Sequence, residues 1–407
     1  MYWPLMEDAI TLKDRLKMAS FVLTSSKLTN GPKVREFEEA WSRWLGIQHS
    51  LFVSSGSTAN TLLVSSMKEL YGLKDGDKVL VPACTWTTNI SPLIQSGLQP
   101  IFADINLRNY SFDIDELDYV RSQHPDIKAI FATHLVGLSS DLEEVRYKMS
   151  DELDHQTNNN GIHRPLIIED ICESHGVRDR DDNKRGTRCQ FRGVSSVGAT
   201  FSFYFGHHMT TIEGGMVSTC HSDLYELMRM KRSHGMAREA SPELFKKYSE
   251  ENPQCDPAFL FMTDGYNLRN HELCAVLGLS QLKRLDKNIE IRRKNYAQFQ
   301  RNIFKLKDKF YPPEWQVGNS SFCFPIIPKG IAVTQTLKNI FKEEGIEYRP
   351  IISGNILRHP AFKKYSICTQ KELPNVCILH KHGLYVGNSQ FVDSKKVDKL
   401  NEILESV

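Results

Sequence analysis

The chain has 407 residues, with 51 Lys and Arg against 49 Asp and Glu, and a formal net charge of +2. That balance, with no basic block, argues against binding to nucleic acid or a membrane surface. The absence of a long apolar run and of a secretory leader pattern predicts a soluble, cytoplasmic protein.

The length predicts a large domain with a smaller companion, here 1–250 and 251–407, rather than one small core. Cys84, Cys172, Cys189, Cys220, Cys255, Cys274, Cys323, Cys368 and Cys377 are widely spaced, without Cys-x-Cys or Cys-x-x-Cys. Reduced thiols are therefore expected, and neither a clustered metal site nor a disulfide framework.

Residues 1–48 read as a helical lead-in. Leu28-Thr29-Asn30-Gly31-Pro32 signals a turn, and Val34, Phe37, Trp41, Trp44 and Leu45 recur at helical spacing. Strands are then predicted at 51–53, 79–81, 100–103, 129–132 and 166–168, and helices at 58–70, 90–96, 114–123 and 142–149. Strands alternating with helices predict an α/β fold with a mainly parallel sheet, whose site lies beyond the carboxyl ends of the strands. The polar tip 156–161 and the charged stretch 177–194 read as loop and exposed insertion. A strand at 199–204, a strand at 216–218 and a helix at 222–232 follow, with a domain change between 240 and 265. One long helical pattern runs from His271 to Phe304. Strands at 322–327 and 347–352 and a last helix at 393–405 suggest a smaller α+β domain.

Four stretches carry polar residues where this fold would place a site. Val53-Ser54-Ser55-Gly56-Ser57-Thr58 joins a strand to a helix, and its glycine and the helix N-terminus suit an anion. Trp86 follows the second strand. Asp170 ends the apolar strand that begins at Leu166; alone, it would serve equally as a helix cap. The fourth stretch is Ser202-Phe203-Tyr204-Phe205-Gly206-His207-His208-Met209-Thr210-Thr211-Ile212-Glu213-Gly214-Gly215.

This last stretch resembles the pyridoxal-phosphate (PLP) loop of the DegT/DnrJ/StrS sugar aminotransferases, in which Ser-Phe and three residues precede Lys-Asn-hydrophobic-Thr-Thr-x-Glu-Gly-Gly. In this chain His207 occupies the place of the lysine that binds the cofactor covalently. The resemblance implies the aspartate-aminotransferase-like fold (fold type I). It implies that Gly56, Ser57 and Ser202 hold the PLP phosphate, that Trp86 stacks on the ring and that Asp170 pairs with the pyridine nitrogen. Glu173 would approach the ring oxygen. Gly265-Tyr266-Asn267-Leu268-Arg269 resembles the family's Gly-Tyr-Asn-x-Arg, whose Asn reaches the phosphate of a neighbouring subunit, so Asn267 implies a homodimer. His234, Arg238 and Arg349 would face the substrate.

With histidine in place of lysine, PLP should bind non-covalently and alternate with pyridoxamine phosphate, with L-glutamate as amino donor. An imidazole still moves protons, so His207 is the expected catalytic residue, with His208 as the alternative. The lysine-to-histidine change, the His-His pair and Arg349-Pro350-Ile351-Ile352-Ser353-Gly354-Asn355 resemble the nucleotide-linked 4-keto-6-deoxysugar 3-dehydratases. One branch of that group carries an iron–sulfur cluster with a Cys-x-Cys; the spacing here is similar to the cluster-free branch, whose substrate is GDP-linked. Activity in 3,6-dideoxysugar synthesis for a surface polysaccharide is therefore expected. A lysine-independent aminotransferase and a silent PLP-binding regulator are the alternatives.

Overall fold

The structure, a computed structural model, describes residues 2–150, 165–178, 196–368 and 372–407. The loop expected at 156–161 lies outside these residues, as does the charged stretch 177–194 apart from Val177 and Arg178. The chain opens with helices α1 (Leu12–Thr24) and α2 (Pro32–Leu45), then alternates β1 (His49–Val53), α3 (Gly56–Leu70), β2 (Lys78–Pro82), α4 (Thr87–Gln95), β3 (Gln99–Ala103), α5 (Ile114–Gln123), β4 (Ile127–Thr133) and α6 (Leu142–Met149). After β5 (Leu166–Asp170), β6 (Gly198–Ser202) and β7 (Gly215–Thr219) come α7 (Ser222–Arg232), α8 (Pro242–Glu251), α9 (Glu272–Leu282) and α10 (Leu285–Lys305).

The seven strands form one sheet in the order β1-β7-β6-β5-β4-β2-β3. Only β7 runs antiparallel to its neighbours. The strand interiors read as continuous apolar runs because helices cover both faces; Val79, Leu80, Val81 and Ile130, Phe131, Ala132 are fully buried.

The aromatic strand β6 shows how pattern becomes packing. Side chains alternate across a sheet. Phe201 and Phe203 pack on Trp41 of α2 at ring-centroid distances of 5.1 and 4.9 Å. Thr200 and Ser202 face the other way, toward α3, where Thr200 Oγ1 donates to Asn60 Oδ1 (2.5 Å). The apolar face of β6 thus anchors the lead-in helices, and its polar face is left for the site.

The second sheet is antiparallel, in the order β8-β10-β9, formed by β8 (Cys323–Ile326), β9 (Tyr348–Pro350) and β10 (Leu384–Gly387). It is flanked by α11 (Ile331–Glu343), α12 (Pro374–His382) and α13 (Ser394–Ser406). The N-terminal segment belongs to its packing: Trp3 is buried, meets Phe324 edge-on and donates to Gly387 O (3.1 Å). α9 lies against α1 and α2. The division at residue 250 stays our proposal for the domain boundary.

The single long helix expected from His271 to Phe304 is two helices, α9 and α10, separated at Lys283 and Arg284. The break has no Gly or Pro. It is fixed by a tertiary contact, since the Arg284 guanidinium is held by Asp14 (2.5 Å) and by Ala9 O (2.9 Å).

Candidate active site

The carboxyl ends of β4, β5 and β6, the turns after β1 and β2 and the loop into β7 meet at one edge of the large sheet, where β9 and β10 face them. Between them lies a cavity of about 510 Å³. Gly56, Ser57, Trp86, Asp170, Glu173, Ser202, His207 and Arg349 line it, and no lysine is among the described residues that do so.

At one end is the N-terminus of α3. Ser55 caps it: its Oγ accepts from Thr58 N–H (3.1 Å), and Thr58 Oγ1 accepts from Ser55 N–H (2.9 Å). The first helical residue, Gly56, must be glycine, because a Cβ there would lie 2.6 Å from Ser202 Cβ and 3.1 Å from Ser202 Oγ. The Ser202 hydroxyl is thereby pressed against free N–H groups of a helix start, the arrangement that holds a phosphate. Gly215 completes the fit, since a Cβ on it would meet the Ser55 carbonyl at 2.2 Å.

On the floor, Asp170 is 4% exposed. Its Oδ2 accepts from Asn60 Nδ2 (3.0 Å) and its Oδ1 from Cys172 N–H (2.9 Å). Asn60 is oriented by Thr200, so two strands and α3 fix the carboxylate. Trp86 stands at the N-cap of α4 with 54% of its surface open, an indole face offered to a planar ligand.

His207 Nδ1 lies 3.1 Å from Ser202 O. A carbonyl accepts only, so Nδ1 carries the hydrogen and Nε2 keeps its lone pair. Burial pushes the imidazole down to about 4, against the Ser202 bond and the Asp170 charge, while Arg292 lowers it further. His207 is therefore a neutral proton acceptor at ordinary pH. His208 is turned away: it is buried, its Nε2 donates to Ser320 O (3.0 Å), and it is not among the residues lining the cavity. Glu173 opens partly onto the cavity and accepts from Val136 N–H (3.1 Å). Burial, helped by the Asp170 charge, pushes its carboxyl up to about 8, so it holds its proton at neutral pH.

His234, Arg238 and Asn267 do not line this cavity. They are exposed on an adjoining surface, where Ser233 bridges Asn267, His234 N–H donates to Tyr266 O (2.7 Å) and Arg238 Nη1 donates to Ala258 O (3.1 Å). The buried Lys231 ammonium ties this surface to α3, through Asp264 and Glu69, each at 2.7 Å. The strip also runs beside the phosphate turn, with Ser54 N–H donating to Leu268 O (3.0 Å).

Sequence reasoning missed several lining residues, among them Met6, His134 and Tyr385. His134 accepts from Ser140 N–H at Nδ1 (3.1 Å), so Nε2 donates to the buried Glu169 carboxylate (2.9 Å). His134 immediately follows β4, a signal that could have found it; Met6 and Tyr385 have no such mark and arrive from the chain's two ends through the second sheet.

A doubly covered sheet, an anion cradle at a helix N-terminus, a buried carboxylate and an open indole define a PLP-binding protein of the aminotransferase fold. The residues present fit that cofactor, although no lysine is among the described residues that line the cavity. The chain belongs to the DegT/DnrJ/EryC1/StrS aminotransferase family, whose model matches residues 10–405. It is 32% identical over 397 residues to GDP-4-keto-6-deoxy-D-mannose 3-dehydratase of Escherichia coli O55:H7, covering 96% of each chain. Among solved structures, it is similar to a His-to-Asn variant of GDP-4-keto-6-deoxymannose-3-dehydratase (ColD) with bound GDP-perosamine (TM-score 0.85, 30% identity, 99% of this chain and 100% of that one). It is similar also to that dehydratase with a trapped PLP-glutamate geminal diamine (TM-score 0.83, 29% identity, 99% and 100%).

Proposed function

We propose that the protein is a PLP-dependent 3-dehydratase of a GDP-linked 4-keto-6-deoxysugar, with L-glutamate as amino donor. The observation that carries this reading is an imidazole, His207, held at Nδ1 by Ser202 O in a cavity that also holds Asp170 and that no described lysine lines. The similar dehydratases, with GDP-perosamine and glutamate bound in their structures, support the substrate pair.

Gly56, Ser57 and Ser202 would hold the cofactor phosphate, Trp86 would cover the ring, and Asp170 would face the pyridine nitrogen. The bound cofactor would supply an electron sink for the carbon that carries its amino nitrogen, outside the pyridine ring. His207 Nε2 takes the proton released at that carbon and passes it to the departing C3 hydroxyl, which leaves as water. Glu173, protonated at neutral pH, donates toward the cofactor's ring oxygen. Arg349 faces the sugar nucleotide across the cavity. His234, Arg238 and Asn267 act across a homodimer interface, which accounts for polar side chains held outward on a rigid strip. The cysteine spacing supports a reaction without an iron–sulfur cluster. A nucleotide-sugar substrate places the enzyme in the cytoplasm, upstream of a surface polysaccharide such as a lipopolysaccharide O-antigen.

The test is to supply PLP, L-glutamate and GDP-4-keto-6-deoxymannose, then analyse products. Dehydration gives 2-oxoglutarate, ammonia and a sugar lacking the C3 oxygen. An amino sugar without ammonia would replace this reading with an aminotransferase. No product from this or related nucleotide sugars would indicate a silent cofactor-binding protein.

A further inference from the structure

One wall of the active cavity carries a buried hydroxyl with no partner. Tyr385, on β10, lines the cavity and is 8% exposed. Its phenol makes no hydrogen bond among the described residues. Buried tyrosines normally find a partner for the O–H, because stripping a hydroxyl of water without a replacement is costly. Its neighbours in the second sheet do not supply one. Tyr385 stands opposite Pro325 of β8 on one side and Arg349 of β9 on the other. The pyrrolidine ring has no polar atom to offer, and no hydrogen bond joins the guanidinium to the phenol. The Tyr110 and Tyr296 hydroxyls also lack partners, but they are sealed in the core, whereas that of Tyr385 is not.

The phenol belongs to the reacting end of the cavity. Residues opposite each other in neighbouring strands share a face of the sheet, so Tyr385 and Arg349 point the same way, and both line the cavity. Phe322 packs between Tyr385 and His207, at ring-centroid distances of 6.3 and 5.7 Å, so Tyr385 is one ring removed from the imidazole. Burial raises the phenol above its ordinary range; Cys323 and Glu173 raise it further, and Arg349 lowers it. The phenol therefore keeps its hydrogen and is a donor at neutral pH. Depth separates the two donors of this wall, since Tyr385 is buried and Arg349 is exposed. A neutral donor lies deep, near His207, and a cation lies outward. A sugar nucleotide has the matching order, with hydroxyls on the ring and a diphosphate beyond it.

We propose that Tyr385 is a specificity-determining residue whose phenol donates a hydrogen bond to a hydroxyl of the sugar ring, with the diphosphate lying outward at Arg349. This rests on a nucleotide sugar being the substrate. A buried donor of this kind discriminates against a ligand without the matching hydroxyl, because it is then left unpaired.

Tyr385→Phe removes the hydroxyl and keeps the ring. Calorimetry titrates the PLP-loaded native and variant proteins with GDP-6-deoxymannose, which has no keto group to react, and with GDP, which has no sugar. The variant should bind the sugar nucleotide about three- to tenfold more weakly and GDP as tightly as before. Its thermal stability should hold or rise, since the hydroxyl has no partner to lose; a hydroxyl that served packing alone would lower stability and leave both affinities in step. Equal affinity of the two proteins for GDP-6-deoxymannose overturns the proposal, and so does an equal loss for both ligands. Where the native protein binds only the UDP- or dTDP-linked 6-deoxysugar, the same comparison with that sugar and its nucleoside diphosphate decides. A native protein that binds none of these sugars overturns the proposal together with the nucleotide-sugar reading. A native protein that binds one but fails to dehydrate its keto form, with the sugar-selective loss in Tyr385→Phe intact, overturns the dehydratase reading and leaves the role of Tyr385 standing.

Discussion

Gly56→Ala tests the cradle at the start of α3. The new Cβ would lie 2.6 Å from Ser202 Cβ and 3.1 Å from Cys172 Sγ. Ordinary carbon contacts sit at about 3.5–4.0 Å, so Ser202 and the helix start must part by roughly 1 Å. Overpacking of this size costs about 1–3 kcal/mol. The separated walls are also the two that would grip the phosphate, and loss of one charge-assisted hydrogen bond costs about 1.5–3 kcal/mol. PLP affinity should therefore fall by about 10- to 100-fold. Equilibrium dialysis measures the affinity, and thermal unfolding without PLP measures the packing cost. Ser202→Gly removes the obstructing Cβ, so the double variant should regain thermal stability without regaining PLP affinity. A Gly56→Ala protein that binds PLP within twofold of the native one would refute the reasoning.

Four further outcomes are expected. His207→Asn should bind PLP normally yet lose dehydration, measured as ammonia release, and borohydride should not fix PLP to the native protein through a lysine. Glu173 has a folded-state carboxyl raised to about 8. Its contribution to stability is complete below its unfolded value and is lost as pH rises through 8, so native apo-protein should lose thermal stability between pH 5 and 9. Glu173→Gln, uncharged throughout, should flatten that dependence, and an unaltered slope would exclude Glu173 as its source. Trp86→Ala should weaken PLP binding about tenfold, from the loss of roughly 1 kcal/mol of stacking together with buried area, read by the same dialysis.

The large sheet was legible because its strands are short apolar runs between amphipathic helices; α5, α6 and α7 fall on the predicted residues. The second sheet was only partly legible. Its central strand β10 is four residues long and fully buried, with no alternation to betray it, whereas β8 and β9 fall within the predicted 322–327 and 347–352. The break between α9 and α10 was invisible because Asp14, some 270 positions away, makes it. Of the site residues, those on strand ends and the α3 turn could be read from local chemistry. His134, next to the end of β4, was open to the same reading and was overlooked, whereas Met6 and Tyr385 could not be read because only tertiary packing brings them to the cavity.

The same packing explains where backbone strain is held. Val136 (φ 51°), Ile212 (φ 72°) and Ile352 (φ 48°) are branched residues in the left-handed region, each at a cost of about 1–3 kcal/mol. Val136 and Ile352 border the active cavity or hold a residue that does. Val136 N–H holds the Glu173 carboxyl, and Val136 O accepts from Phe322 N–H (3.0 Å) at the entry to β8. The next residue, Gly137, accepts from Ser320 N–H (2.8 Å), and Ser320 O in turn receives His208 Nε2. One strained turn therefore links Glu173 on the large sheet to the segment that holds His208. His207 itself is held from the large sheet, by Ser202 O at the end of β6, and Glu173 follows β5, so the two groups share one sheet while the junction braces the Glu173 carboxyl and the neighbouring His208.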